Sequence, residues 1–232
     1  MAAFEGIPAG CLPFLRQLAT HNNRAWFNAS KAGYEECVRE PALAFIEAMA
    51  PELGKISPHF RAIAKKTGGS LMRVYRDTRF SGDKTPYKTN VGIQFRHERG
   101  KDIHAPGYYL HLAPGACFAG VGLWHPETEV ARAIRQAIHD DAAGWAAATK
   151  RKPFTDTWST TPDEDEMLKR VPAGLDPGHP HADDLRMKSF IAGATLTQRQ
   201  VTSAGFDQEL ASMFARASGY GRFLCDALDL PF

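Results

Sequence analysis

Near residue 70 the hydrophobic period of this chain changes, and that change limits the folds open to it. Upstream, apolar residues recur at helical spacing. Phe14, Leu15 and Leu18 share a face of one short helix. The stretch His21-Asn22-Asn23-Arg24 breaks it, and Asn22 or Asn23 can cap a new turn carrying Trp26 and Phe27. Tyr34 and Val38 lie four apart on the next helix. Pro41 ends that helix or stands in the first turn of the following one. Leu43, Ile46, Met49, Ala50 and Leu53 give that following helix its stripe, and Gly54 is a stop signal.

Downstream the period falls to two. Met72 and Val74 alternate with Arg73 and Tyr75. Val91, Ile93 and Phe95 alternate with Gly92, Gln94 and Arg96. Tyr108, Leu110 and Leu112 alternate with Tyr109 and His111. Ala113-Pro114-Gly115 is a turn, and residues 117–124 read as the return strand. Four strands on short connections favour an antiparallel meander. Gly107, Gly115, Gly120 and Gly122 imply that the sheet is bent or bulged.

Helical signals then return. Pro126 opens a helix with Glu127 and Glu129 in its first turn and an apolar stripe of Val130, Ile134 and Ile138. Trp145 falls on a further short helix, and residues 154–160 have the pattern of a strand. Asp163 and Glu166 have capping-box spacing. Residues 171–181 are a Pro/Gly/His loop, and 190–197 return to the sheet. Ser203 is placed to cap the last helical region, with Phe206, Leu210, Met213 and Phe214 on one face. Ser218-Gly219 interrupts it before Phe223, Leu224, Ala227 and Leu228.

The expected fold class is therefore α+β: a helical N-terminal segment, a bent central antiparallel meander of four or more strands, helices packed on one side, and a C-terminal helix. With no repeat or linker in view, residues 1–232 are expected to form one domain. The alternative is a division near residue 140. A hydrophobic fraction of 44% and a charged fraction of 23% suit a globular chain. No apolar run approaches the roughly 18 residues that span a bilayer. Residues 1–10 lack the basic and apolar regions of a signal peptide, so the expected location is cytoplasmic. Cys11, Cys37, Cys117 and Cys225 form no CxxC pair and read as buried, reduced thiols.

The net charge of +2 conceals an uneven distribution. Residues 61–101 hold eleven basic side chains against three acids, a local +8, which leaves −6 for the rest. At the centre of this island is the run Arg73-Val74-Tyr75-Arg76-Asp77-Thr78-Arg79-Phe80-Ser81-Gly82-Asp83-Lys84-Thr85-Pro86-Tyr87-Lys88. Arginine offers a rigid fork for carboxylate or phosphate, and lysine a point charge. Arg73, Arg76, Arg79, Lys84 and Lys88 are candidates to receive a small anion. Asp77 and Asp83 would orient them, and Tyr87 or His111 would supply a hydroxyl or imidazole. Trp124 is the tryptophan best placed to line a pocket. Pro86 stiffens the loop and so reduces the ordering cost of binding.

Two other readings of the island stay open. Interleaved Arg and Asp can form a structural ion-pair network with no ligand. The other is a nucleic-acid or protein-interaction module, and Tyr75, Phe80 and Tyr87 between the cations can mark a nucleic-acid groove. The expected partner is thus a small phosphate- or carboxylate-bearing ligand, with nucleic acid second, no membrane and no cofactor.

Other constellations carry less. His179-Pro180-His181-Ala182-Asp183-Asp184 has metal-ligand types on poor framing, so no metal is expected. Ser81-Gly82-Asp83-Lys84-Thr85 fails as a P-loop, because an acid stands where the glycine before the lysine belongs. No GxGxxG follows a strand. His111 and His125 are of a type suited to acid–base chemistry, though a structural role suits each as well.

Several segments together carry a resemblance. They are Asn22-Asn23-x-x-Trp26-Phe27, the run from Arg73 to Lys88, Pro106-Gly107-Tyr108-Tyr109 and Gly120-x-Gly122-x-Trp124-x-Pro126, with Asp183-Asp184-Leu185 and the Phe190 segment. Over nearly its whole length the chain resembles a widespread microbial family of uncharacterised conserved hypothetical proteins, a domain-of-unknown-function family. The resemblance implies a single-domain unit and transfers no catalytic residue.

Overall fold

The helical first quarter forms as its spacing predicts. Helix α1, Cys11–Thr20, buries Leu12, Phe14, Leu15 and Leu18 on one face. Asn23 caps α2, Arg24–Ala29, by accepting the Trp26 N–H at 2.9 Å. Helix α3, Lys31–Tyr34, runs through one π-turn at Glu35–Arg39 into α4, Glu40–Ile56. Pro41 takes the second of its two expected places, the first turn of α4. It has no N–H to donate, and the wide turn before it relieves the ring's clash with the preceding carbonyls. Leu43, Ile46, Met49 and Leu53 are buried, whereas Ala50 is exposed. Gly54 does not end α4. It faces open space, and the helix continues to Ile56.

These coordinates are a computed structural model describing residues 4–79, 81–100, 105–160, 162 and 164–232. The expectations for Phe80, Lys101 and the Asp163 cap lie outside the described residues.

One antiparallel sheet follows, in the order β1–β2–β3–β4–β5. Its strands are β1 Phe60–Arg61, β2 Val91–His97, β3 Gly107–Leu112, β4 Cys117–Leu123 and β5 Phe190–Leu196. The strand expected at 72–75 is not a regular one. Leu71 and Tyr75 make only isolated bridges, to Ile93 and Tyr87. The backbone bonds between 70–76 and 86–94 are intermittent. Met72 N–H donates to Gly92 at 2.9 Å, Arg76 N–H to Pro86 at 2.9 Å, and Lys88 N–H to Val74 at 2.7 Å. Pro86 has no N–H to continue a ladder. The segment is therefore an arm that folds beside β2 and returns through the 77–85 loop.

The period-two residues divide as alternation requires. Val91, Ile93, Phe95, Tyr108, Leu110, Leu112, Ala119, Val121, Phe190, Ala192 and Leu196 face the core. The helices cover this face. Helix α4 meets β1 and β2, and α11, Ser218–Asp226, meets β4. Between them α10, Phe206–Arg216, sets the Phe214 ring 4.7 Å from Tyr108. Full burial of each such aromatic contributes about 1.5–3 kcal/mol.

Helix α5, Thr128–Asp140, begins two residues after Pro126 and buries Ile134 and Ile138. Arg135 on it donates to the Leu185 and Met187 carbonyls at 2.9 and 2.7 Å. Trp145 is fully buried on α6, Ala142–Thr149. The strand expected at 154–160 is instead a helical turn, α7, Lys152–Thr155, started by Pro153. Only Ser159 reaches the sheet, by a bridge to Gly193. Short helices α8, Ala182–Leu185, and α9, Gln198–Val201, flank β5. Ser203 does not cap α10. Its hydroxyl donates to the Gln200 carbonyl at 2.6 Å, and Gly205, at φ 77°, takes the cap position. A left-handed φ there suits glycine. Among the described residues no helix is long and apolar enough to cross a membrane.

Candidate functional site

The second face of the sheet is not covered by helices. Alternation assigns to it Gly92, Gln94 and Arg96 of β2, then Gly107, Tyr109 and His111 of β3. From β4 and β5 it takes Phe118, Gly120, Gly122, Ile191, Gly193 and Thr195. Register aligns these as cross-strand rows. Gln94, Tyr109, Gly120 and Gly193 form one row, and Arg96, Gly107, Gly122 and Ile191 the next. Gly107 pairs with Gly122, and Gly120 with Gly193, so four glycines leave a patch of bare backbone.

The glycines have different causes. A Cβ on Gly122, at φ 125°, would lie 1.9 Å from the Phe190 carbonyl oxygen, so the backbone requires glycine there. A Cβ on Gly92 would meet Met72 Sδ at 2.8 Å. Gly120 and Gly193 are under no such demand. A Cβ on Gly120 meets nothing nearer than 3.8 Å, and one on Gly193 meets nothing within 4 Å. Each such glycine in a strand costs about 0.5–1 kcal/mol relative to alanine.

Above this floor lies a cleft of about 1060 Å³. Met72, Arg76, Asp77, Lys88 and Asn90 of the arm line it, as do Ala105 and Pro106 and, past the end of β4, Trp124. Trp124 is 73% exposed and Phe118 39% exposed, both high for large apolar rings. His111 stacks on Phe118 with ring centroids 4.6 Å apart. Its Nδ1 lies 3.0 Å from the Tyr109 hydroxyl and 3.5 Å from the Asn90 amide nitrogen. Two donors on Nδ1 make it the acceptor and leave the proton on Nε2. Burial lowers the His111 pKa from its ordinary value, so the ring is neutral at pH 7.

The charges of the 73–88 run divide into two groups. Those of the loop are spent on the loop. Arg76 pairs with Asp83 and also donates to the Thr85 hydroxyl. Arg79 grips Asp77 with two bonds, at 3.0 and 2.7 Å, and Lys84 donates to the Thr78 carbonyl at 2.8 Å. The Thr85 N–H, then Arg76, hold the Asp83 carboxyl down to about 2. Arg79 holds Asp77 below the usual carboxylate range by its side chain and its N–H.

Lys88 differs. Among the described residues its ammonium has no ion pair or hydrogen bond, and its side chain is half-buried on the cleft wall. Burial, and then the like charge of Arg73, lower its pKa. Arg96, on the floor, donates to Gln94 at 3.1 Å and has no other side-chain partner among the described residues.

Of the residues expected from sequence, Arg76, Asp77, Lys88, His111 and Trp124 line the cleft together. Arg73 is near enough to Lys88 for its charge to be felt there but does not line the cleft, and Arg79, Asp83 and Lys84 belong to the loop. Tyr87 is buried on the far side of the arm and stacks on Phe27 at 4.0 Å. Asn22 clamps it there. The Asn22 amide donates to the Tyr87 carbonyl at 2.9 Å and accepts the Tyr87 N–H at 3.0 Å. The cleft also contains Asn90, Gln94, Arg96, Tyr109, Phe118 and Gly120. Sharing a strand face with His111 marks Tyr109, but only the register brings in the others. Among the described residues no group of histidine, cysteine or acidic side chains is arranged to hold a metal, and His179 and His181 are in no such group.

Compared with known families, the chain matches the model of the conserved hypothetical proteins DUF2461 over residues 10–223. No curated protein and no solved structure matches it.

Proposed function

The chain belongs to the DUF2461 family of conserved hypothetical proteins, and from that premise we propose that it binds a small phosphate- or carboxylate-bearing ligand in the cleft over the bare sheet face. The observation that carries this reading is Lys88. A half-buried ammonium with no ion-pair partner among the described residues, next to the like charge of Arg73, is held at an electrostatic cost. An anion in the cleft supplies the missing countercharge. Arg96 stands on the same lining, where Arg76 is paired with Asp83 and the acid Asp77 with Arg79. The pocket is large for a small-molecule site and combines apolar rings with a few polar groups, the usual composition of such sites.

A nucleic-acid track is less well supported. It needs a row of available cations, and Arg79 and Lys84 are engaged within their own loop.

Calorimetric titration with inorganic phosphate and with citrate tests the reading. Lys88→Ala is expected to weaken binding of either anion at least tenfold, and Arg96→Ala several-fold, with the fold intact by circular dichroism. If Lys88→Ala binds both anions as tightly as the parent protein, the reading is wrong.

A further inference from the structure

We propose that the anion carries a flat heteroaromatic ring, as a nucleoside phosphate does, and that the ring lies on the Gly120 floor between Phe118 and Trp124. This rests on the anion reading above and adds the chemical class of the ligand. It starts from a glycine that the protein itself does not need. Gly120 has no left-handed φ, and the three atoms nearest to an added Cβ, none closer than 3.8 Å, belong to neighbours within the sheet: Ile191, Ala192 and Tyr109. The space directly above it is the cleft. A glycine in a strand interior often marks a bulge, a bend or a place where a ligand or another backbone approaches closely, and Gly120 lies in a regular ladder with open space above it. Gly193, its cross-strand partner, is equally unconstrained and extends the bare strip.

A flat group fits such a floor, and the rims are suited to a ring. Phe118 and Trp124, two of the most exposed large apolar side chains among the described residues, stand at either end of the Gly120–Gly122 segment. Offset stacking on an aromatic of this kind is favourable for any ring with a π face. The polar groups are suited to ring heteroatoms. The Gln94 carbonyl oxygen accepts the Arg96 Nε–H at 3.1 Å, which leaves its amide N–H groups free beside Gly107. His111 offers Nε2–H. Lys88, on the arm, then meets the phosphate while the ring lies on the sheet.

The test compares adenosine 5′-monophosphate with glycerol 3-phosphate, a phosphate monoester without a ring, on the parent protein, Lys88→Ala, Gly120→Val and Gly193→Val. The parent is expected to bind the nucleotide at least tenfold more tightly. Gly120→Val should remove that advantage while binding of glycerol 3-phosphate stays within twofold, with the circular dichroism unchanged. Gly193→Val is a second probe on open space should Gly120→Val not fold.

Equal affinity of the parent for the two ligands overturns the ring, while the anion reading survives if Lys88→Ala weakens both. Equal weakening of both ligands by both valine variants, or of neither, also overturns it. Absence of binding by either ligand overturns both proposals. A single-stranded oligonucleotide that binds more tightly than the nucleotide, with affinity falling steeply with salt, replaces the small ligand with a polymer.

Discussion

Asp83 and Lys88 lie five residues apart and solve the problem of charge in opposite ways. Asp83 is exposed, yet three donors hold its carboxyl down to about 2: the Thr85 N–H, Arg76 and the Thr85 hydroxyl. A pKa depressed below the unfolded value of about 3.9 gives stability that is present above that value and lost as pH falls toward the folded one. Asp83→Asn should therefore flatten the acid limb of stability between about pH 4 and pH 2, measured by thermal melts across that range. An unchanged limb would mean that the contacts of Asp83 do not outlast its exposure to solvent. Lys88 has no such partner among the described residues, and on the proposed reading an anion in the cleft meets its charge. The run of alternating signs is thus part ion-pair network and part free charge. Sequence alone left those readings open because pairing depends on which side chains the loop turns inward.

At the scale of elements, the arm explains why two distant motifs belong together. The Asn22 side chain, 65 residues away in sequence, holds the Tyr87 backbone by two hydrogen bonds, and the Phe27 ring stacks on the Tyr87 ring. Asn22 reads as a helix cap from its neighbours, and the structure gives that role to Asn23 alone. Asn22→Ala leaves a donor and an acceptor of Tyr87 unpaired in a part-buried site. It should cost about 1–3 kcal/mol in denaturant unfolding and speed amide exchange at Tyr87 and Lys88. Normal exchange at those two amides would show that the stacked rings alone hold the arm. The same clamp positions Lys88, which follows Tyr87 directly. The irregular pairing of residues 70–76 was not legible because alternation reports a two-faced extended chain, not the completeness of its ladder.

Across the whole molecule, β5 joins residues 190–196 to a sheet otherwise built before residue 124, and one buried cluster extends from Ile7 to Leu230. We therefore expect unfolding in a single transition, with tryptophan fluorescence and far-ultraviolet circular dichroism melting together. Two separated transitions would favour a division near residue 140. The sequence by itself determined the order of most helical and extended segments, residues 154–160 excepted, the parity of β2 and β3, and the basic island, because side-chain type and spacing are local properties. Only the tertiary structure decided that four glycines from three strands share one patch, that Lys88 and Trp124 line the same cleft, and that Arg79 and Lys84 do not. Those facts depend on register and on contacts between residues dozens of positions apart. Spacing along a chain carries no distance information of that kind.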